Sequence, residues 1–590
     1  MGSDADPDVG ASVRSELEER LYRIRHSSAH LMAEAVLQVF PDAKLAIGPP
    51  IDDGFYYDFD LPRTLTDEDL ADIEERMRRI AVGDHAFARS VISRGEAEER
   101  FADQPYKLEL IRDLPEDEEI SLYTQDTFTD LCRGPHVDTT GDLDPDAIKL
   151  TSVAGAYWRG DERRPMLQRI YGTAWQSKAD LDAYLERLAE IEKRDHRRLG
   201  RELDLFSIQD QVGPGLVFWH PKGARLRSIA EDYWKKQHYA NGYELLNTPH
   251  IGKEWLWQTS GHLDFFAENM WPPMELDNSR YYLKPMNCPF HIMIYKSALR
   301  SYRELPLRWA EEGTVYRYER SGVLHGALRV RGITQDDAHI FCTPDQVEDE
   351  ISEVLRFALE VWKDYGFSDL RTKVSTRPDK AIGADEDWER ATESLKKAVA
   401  DNGLEVEIDE GEGAFYGPKI DVHVADPLGR LWQMSTIQFD FNLPERFGLT
   451  YVDSDGSEKR PYMVHRVLYG AMERFLATLI EHYAGAFPMW LAPVQAVVIP
   501  VRSEHLDYAR KITTELTAAE YRIEIDASDN RMGAKIRNAQ GQKVPFMIIV
   551  GDNEQQAEQV SLRERSGEQH NGLSMADCTQ LFADRVAAKA

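Results

Sequence analysis

Cysteine is scarce in this chain. Cys132, Cys288, Cys342 and Cys578 are the only four among 590 residues, which argues against a disulfide framework and for a reducing compartment. No run approaches the ~18 consecutive apolar residues of a membrane span. The start, MGSDADPDVGASVRSELEER, has no apolar core, so no secretion signal is expected and the expected location is cytoplasmic. Basic residues are outnumbered: 71 Lys and Arg stand against 103 Asp and Glu, a formal net charge of −32. That balance argues against a surface coated for nucleic acid. It leaves room for a local basic path, which is all that binding needs. Internal repeats and long low-complexity segments are missing too.

What is present suffices for several cores. A chain of 590 residues, 42% hydrophobic, is too long for one core, and three or four domains are expected. Residues 1–15 read as a disordered tail. In the next segment Leu17, Leu21, Ile24, Leu31, Ala35 and Val39 recur at helical spacing, and Pro41 closes the helix. Mixed strands and helices run to about residue 176. Over 179–199, Leu181, Leu185, Leu188 and Ile191 form one stripe of a helix with a basic end that closes at Gly200, which reads as a linker. The region 200–490 is rich in aromatics and strand candidates. After it VQAVVIPV, RIEIDAS and PFMIIVG alternate with two helical segments, the pattern of a compact α/β domain with a mainly parallel sheet over 491–590.

The stretch RVRGITQDDAHIF (329–341) reads as a strand that keeps many polar groups. With period 2, Arg329, Arg331, Ile333, Gln335, Asp337 and His339 share one face. The plain reading is a solvated edge. The order of two cations, an amide, an acid and an imidazole also suits a small zwitterion bound beside a phosphate. Just upstream, GTVYRYERSGVLHGAL gives a strand and a Gly/Ser loop, with Arg317 and Glu319 on one strand face.

Strand, loop and strand with Arg-x-Glu resemble motif 2 of class II aminoacyl-tRNA synthetases. MVHRVLYGAMERF (463–475) resembles motif 3, with Arg474 as its arginine. The combination of MNCPFH, LHGALRVRGITQDDAHIFC, AFYGPKID and HRVLYGAMERF is similar to the threonyl-tRNA synthetase family. The similarity runs from about residue 20 to 580, without the small ubiquitin-like domain that precedes it in many bacterial relatives. It implies a multidomain α/β and α+β chain: an α+β editing domain at 16–178, a class II catalytic domain with an antiparallel sheet at 200–490, and an α/β anticodon-binding domain at 491–590. Threonine, ATP with Mg2+, and tRNA(Thr) are the implied substrates. A homodimer through motif 1, around Gly213–Tyr243, is implied as well.

The resemblance also places a zinc ion, one per chain, on Cys288, His339 and His465. Their separations, 51 residues (288 to 339) and 126 (339 to 465), are no local zinc signature, so the motif matches carry this. Gln335 and Asp337 would contact threonine. Arg317 would meet the α-phosphate and the carboxylate, Glu319 the adenine side with Arg329 close by, and Arg474 the γ-phosphate; planar donor forks suit phosphate oxygens. Val467, Gly470 and Ala471 are expected on one face of a motif 3 helix with Arg474. Tyr416, Lys419 and Gln433 would line the pocket, and His262 would assist transfer to the tRNA ribose. Two positions depart from the family pattern: Ala471 stands where relatives often have Ser, and Met434 where they often have Cys or a small polar residue. They keep open a second reading, a catalytically altered or inhibitor-tolerant paralogue.

His26 and His30 are four apart on the first helix, and Cys132 and His136 flank Gly134–Pro135. The residues alone read as a four-ligand zinc site or as core histidines. The resemblance points to the pocket that hydrolyses Ser-tRNA(Thr), for which it does not call for a metal, and adds Asp130 and Lys107. At the other end Arg531, Lys535, Arg537 and Lys543 form a basic strip. Glu554 and Arg563 match the family's base-reading pair, arginine suiting guanine edges and acids amino groups. A solvated charged face remains the alternative for these.

Overall fold

The computed structural model describes residues 15–589, so residues 1–14 of the expected 1–15 tail lie outside the described residues, while Ser15 caps the first helix. The chain divides into two compact units, through Glu190 and from Ile191.

The first unit begins with α1 (Glu16–Val39). Ser15 and Glu18 form a reciprocal capping box at its start, and Phe40 caps its end. Leu17 of the expected stripe stays exposed, while α1 is buried on every side from Ile24 to Val36. The reason is that α1 is sandwiched between β1 (Gly54–Asp60) with its sheet and α2 (Asp67–Val82). Burial on every side lets polar His26, Ser27, His30 and Glu34 sit inside. Helix α3 (Pro105–Asp113) follows. A small antiparallel sheet then contains β2 (Ile120–Gln125) and β3 (Phe128–Leu131). The sheet under α1 pairs β1 with β5 (Met166–Ala174), and β5 with β4 (Ile148–Tyr157), all antiparallel.

The single linker helix expected over 179–199 is two helices, α4 (Lys178–Arg194) and α5 (His196–Glu202). Asp195 breaks them by capping α5, its carboxylate accepting the Arg197 amide at 2.8 Å. Gly200 therefore lies inside α5 instead of closing a helix. Only Leu181 of the expected stripe is buried, and Leu188 faces solvent.

In the second unit, α6 (Pro221–Ala240) precedes an eight-stranded sheet. Its strands are β6 (Glu244–Leu245), β7 (Leu307–Tyr316), β8 (Gly332–Cys342), β9 (Leu370–Ser375), β10 (Glu407–Asp409), β11 (Lys419–Ala425), β12 (Leu431–Asp440) and β13 (Tyr462–Ala471), in the order β6-β7-β8-β13-β12-β11-β9-β10. The five inner pairings are antiparallel, and only the β6–β7 and β9–β10 pairs are parallel. Helix α7 (Val347–Asp364) belongs to the core that covers Ala338 and Ile340 on one face of β8. Gln335, Asp337 and His339 alternate onto the other face, which is left for a site.

Three expectations change here. The strand expected from Arg329 begins at Gly332, because the Arg331 amide bonds Gly215 at 2.8 Å and its side chain donates to the Glu319 carbonyl. Strand β7 stops at Tyr316, so Arg317 and Glu319 lie just past it. Val467, Gly470 and Ala471 belong to β13, and helix α8 (Met472–His482) starts only afterwards. The physical cause of the last change is Asp336. Its carboxylate accepts the amides of Leu468 at 2.8 Å, Tyr469 at 3.0 Å and Gly470 at 3.0 Å, with Gly470 at φ +76. Helical bonding cannot use those amides.

The C-terminal part contains β14 (Ala496–Pro500), α9 (Leu506–Ala518), β15 (Ile523–Ile525), α10 (Met532–Gly541), β16 (Phe546–Val550), α11 (Asp552–Ala557), β17 (Val560–Glu564) and β18 (Gln569–Leu573). The order is β15-β14-β16-β17-β18, with three parallel strands and then two antiparallel ones.

Candidate active, editing and RNA-binding sites

Strands β8 and β13 place His339 directly opposite His465. Cys288 opens the helix Cys288–Lys296 beside them. The three donor atoms lie within 4.8 Å of one another, and all three residues are buried. One nitrogen of each imidazole is already engaged. His339 Nδ1 is 2.8 Å from His291 Nδ1, whose other nitrogen reaches Glu311 at 3.0 Å. His465 Nε2 is 2.7 Å from Asp440 Oδ2. The remaining nitrogens are left for the centre, as in ligating histidines held by outer partners. Burial keeps the His339 imidazole neutral, far below its ordinary pKa, and pushes the Cys288 thiol well up. A cation would have to displace that thiol proton. One sulfur and two imidazoles in this geometry fit a zinc-type centre with open positions.

The trio lines a cavity of about 320 Å³. Arg317, Gln335, Asp337, Tyr416, Gln433 and Arg474 line it as well. Asp337 accepts from Asn287 Nδ2 at 3.1 Å, and burial raises its pKa. Tyr416 donates to Gln438 Oε1 at 2.5 Å. Arg474 donates Nε to the Leu328 carbonyl at 3.2 Å and Nη1 to the Gln433 carbonyl at 3.5 Å. Arg317 donates to the Pro285 carbonyl at 3.4 Å and lies 5.7 Å from the centre of the Phe266 ring. Burial lowers the pKa of both arginines, and Arg317 lowers that of Arg474 further. Two guanidiniums bonded to carbonyls and aimed into one cavity make an anion site.

Four expected residues lie outside this lining. Glu319 pairs with Arg329 at 3.0 Å. Lys419 pairs with Asp421 at 2.7 Å. His262 is buried, held by Ser260 at 2.7 Å, with Nε2 3.1 Å from Met286 Sδ, and burial lowers its pKa to about 3. Met286, which does line the cavity, stands between. Sequence reasoning missed Asn287, His291, Gln438 and Asp440. Period 2 on β12 could have found the last two, because Thr436, Gln438 and Asp440 alternate there.

In the first unit, His26 and His30 lie one turn apart on α1, and Cys132 and His136 flank the turn after β3. Their four donor atoms fall within 4.8 Å of one another. Cys132 Sγ is 3.2 Å from both His26 Nε2 and His136 Nε2. The other nitrogens meet neutral partners: His26 the Pro135 carbonyl at 3.1 Å, His136 the Ser27 hydroxyl at 3.1 Å, and His30 the Gln125 amide oxygen at 3.4 Å. Burial lowers His26 to about 3 and His30 to about 4, pulls His136 down as well, and raises Cys132 to about 12. Lys107 and Asp130 form a buried pair at 2.7 Å, and Tyr57 donates to Asp130 at 2.5 Å. Burial works against the Asp130 carboxylate, but Lys107 and His30 outweigh it and hold its pKa down.

The basic strip at the C-terminal end is reduced. Arg531 and Arg537 face solvent. Lys535 is buried, its ammonium donating to the Pro500 and Asp526 carbonyls at 3.2 and 3.1 Å. Lys543 donates to the Ala484 carbonyl. Glu554 accepts from the Gly551 amide at 2.9 Å and from the Ser561 hydroxyl at 2.8 Å. Arg563 follows Ser561 on the same face of β17, and its buried Nε has no partner.

Three family descriptions match the chain. Residues 273–483 match the "tRNA synthetase class II core domain (G, H, P, S and T)", residues 495–585 the "Anticodon binding domain", and residues 120–171 the "Threonyl and Alanyl tRNA synthetase second additional domain". Among curated proteins, the threonine–tRNA ligase of Borrelia hermsii is 55% identical over 579 residues, 98% of this chain and 99% of that protein. That of Borreliella burgdorferi is 55% identical over 572 residues, 97% of this chain and 98% of that protein. Among solved structures, the RNA-binding domain of threonyl-tRNA synthetase from Cryptosporidium parvum aligns with a TM-score of 0.64 at 38% identity, covering 66% of this chain and 98% of that one. With a class II core, an anticodon-binding module and relatives matched almost end to end, the chain belongs to the threonine–tRNA ligase family.

Proposed function

We propose that this chain joins threonine to ATP as threonyl-adenylate, transfers the threonyl group to tRNA(Thr), and hydrolyses Ser-tRNA(Thr). One observation carries the reading: a single cavity is lined by a buried Cys–His trio together with Arg317 and Arg474. That lining suits an amino acid beside a triphosphate. In adenylation the threonine carboxylate attacks the α-phosphorus and pyrophosphate leaves. Arg317 holds the carboxylate against the α-phosphate, and Arg474 neutralises the γ-phosphate, with Mg2+ arriving on the ATP. Positioning and charge neutralisation are what this displacement needs. Asp337 and Gln335 accept from the amino acid's polar groups. A zinc ion on Cys288, His339 and His465 would supply open positions for the amine and the hydroxyl. Glu319, Arg329 and Lys419 serve the rim, and His262 the transfer to the ribose.

The reading assigns 16–178 to editing, 179–199 to the connection, 200–490 to catalysis and 491–590 to the anticodon. There Arg531, Arg537, Lys543, Glu554 and Arg563 meet tRNA. In editing, water attacks the seryl ester carbonyl and the ribose hydroxyl leaves, with His26, His30, Cys132 and His136 placing the water and the ribose, and Lys107 and Asp130 behind them. The active form is a cytoplasmic homodimer built on the segment around Gly213–Tyr243. No helix among the described residues is long and apolar enough to cross a membrane. A second reading, tolerance of cavity-directed inhibitors, is favoured by Met434 and Ala471, both of which line the cavity. The test is ATP–pyrophosphate exchange. Exchange that depends on threonine and ignores valine supports the proposal, and exchange indifferent to threonine sinks it.

A further inference from the structure

The loop between β7 and β8 is exposed at Ser321 and Gly322 and anchored farther on, where Ala327 and Leu328 are buried. The anchor is His196 of α5, within the second unit. The Ala327 amide donates to His196 Nε2 at 3.1 Å. An amide can only donate, so Nε2 must accept and the ring proton sits on Nδ1. His196 Nδ1 then donates to Glu481 Oε1 at 2.7 Å, and the same oxygen accepts the His196 amide at 3.1 Å. Glu481 Oε2 takes Arg430 at 2.5 Å. The imidazole is fully buried. Asp195, His196 and Glu481 bring their donor atoms within 4.8 Å of one another, but both ring nitrogens are used and Asp195 caps α5, so the ring has no lone pair left for a cation.

The loop meets this ring as closely as a chain can. Gly326 has φ +51, and a Cβ there would lie 2.1 Å from His196 Nε2. Two residues on, the Leu328 carbonyl accepts Arg474 Nε. One of the two carbonyls that hold Arg474 is therefore adjacent to the residue that hangs from His196.

We propose that His196 is a positioning residue for the ATP end of the cavity. Its Nδ1–H tautomer, fixed by Glu481 on α8, clamps residues 326–328 to α5 and thereby orients Arg474. It touches no substrate. The inference rests on the reading above, in which Arg474 meets an ATP phosphate.

Two substitutions separate the ring's two bonds. In His196→Asn the amide nitrogen can stand in for Nδ1 and keep Glu481, but nothing reaches Ala327. In His196→Gln the amide oxygen can stand in for Nε2 and keep Ala327. His196→Asn should raise KM for ATP about 10-fold and lower kcat about 10-fold in threonine-dependent exchange, with KM for threonine within about twofold. His196→Gln should recover most of both. Trypsin should cut after the exposed Arg320 faster in the Asn variant than in the Gln variant or the parent. Gly326→Ala, which pushes the loop off an intact His196, should give the same ATP-selective defect and guards against a folding failure of the Asn variant. Equal kinetics and equal cleavage for Asn and Gln, an equal loss toward threonine, or normal ATP kinetics in Gly326→Ala would overturn the inference. If the parent shows no threonine-dependent exchange, the functional reading has failed, and the trypsin comparison still reports on the clamp.

Discussion

The cluster in the first unit gathers four donors from two local segments, while the cluster in the second gathers three from elements far apart in sequence. Their partners differ more than their donors. His26, His136 and His30 lean on a carbonyl, a hydroxyl and an amide oxygen. His465 leans on Asp440, His339 leans on His291 with Glu311 behind it, and Asp337 stands 3.8 Å from His339 Nε2. Acids around a donor set offset the charge of a cation and raise ligand basicity. Neutral partners leave buried imidazoles uncharged and unpolarised. Asp130, an acid that acts on the first cluster, is already paired with Lys107. The comparison teaches that a shared Cys–His composition does not fix chemistry. The surroundings favour a cation at the second cluster and neutral hydrogen-bonding rings at the first.

The largest test of that contrast is Cys288→Ser. Threonine-dependent exchange should fall by at least about 10³-fold, equivalent to about 4 kcal/mol, and the one equivalent of zinc proposed for the parent should be absent from the variant. Ser-tRNA(Thr) hydrolysis should continue. Zinc that stays in Cys288→Ser but leaves in His26→Ala/His30→Ala would reverse the comparison.

The next effect falls on the other cluster. Serine offers the same amine and hydroxyl as threonine, so the polar end of the catalytic cavity cannot reject it. The missing methyl is worth roughly 1–3 kcal/mol, or about 10–200-fold, and a second hydrolytic site is the usual remedy. His26→Ala with His30→Ala should slow Ser-tRNA(Thr) hydrolysis by about 10²-fold and leave threonylation within about twofold. Clearance of Ser-tRNA(Thr) at the parent rate would remove the first cluster from editing.

Asp440→Asn is a subtler probe of the acids around the second cluster. It keeps the size of the partner of His465 and removes its charge. Metal affinity should fall about 10- to 100-fold, the usual cost of losing an outer partner. Dialysis against a graded chelator series reads this directly, and unchanged retention would show that the carboxylate is not what tunes the site.

Much of this was legible in the sequence, but unevenly. Gln335, Asp337 and His339 alternate in TQDDAHIF and do share a face, because strand periodicity is local. The βαβαβ alternation likewise read through to the C-terminal part, though not its two antiparallel strands. Asp336 was not legible as the group that delays α8, since its three amide partners are more than 130 residues away. Lys535 read as part of a basic strip and is buried under two carbonyls, a tertiary outcome that composition cannot foresee. The apolar stripe over 179–199 read as one linker helix, but the structure leaves it largely in solvent and Asp195 splits it by capping α5. The spacing of Cys288, His339 and His465 carries no signal at all; two strands of the eight-stranded sheet pair the histidines, and the helix Cys288–Lys296 brings the cysteine to them.

The smallest effect concerns Glu34, which shares an α1 face with His26 and His30 at i, i+4 and i+8. It accepts from Gln125 Nε2 at 3.4 Å, the residue whose oxygen meets His30. Burial, with help from Asp126, raises its pKa from 4.5 to about 7. The sign follows from proton binding. Between pH 4.5 and 7 the folded chain holds a proton that the unfolded chain has released, so stability is fully present below 4.5 and is lost as pH rises through 7. The unscreened shift corresponds to about 3 kcal/mol, and partial solvation reduces this to about 1 kcal/mol. Glu34→Gln removes the ionisation. Hydrogen exchange of the α1 amides in the full chain, corrected for intrinsic rates, should show the variant better protected than the parent at pH 8 by about fivefold, the equivalent of 1 kcal/mol at RT ≈ 0.6 kcal/mol. At pH 5 the advantage should vanish. An advantage of the same size at both values would mean that Glu34 keeps an ordinary pKa. The first cluster would then have an ionised acid beside Gln125, and the contrast drawn between neutral and acidic surroundings would weaken.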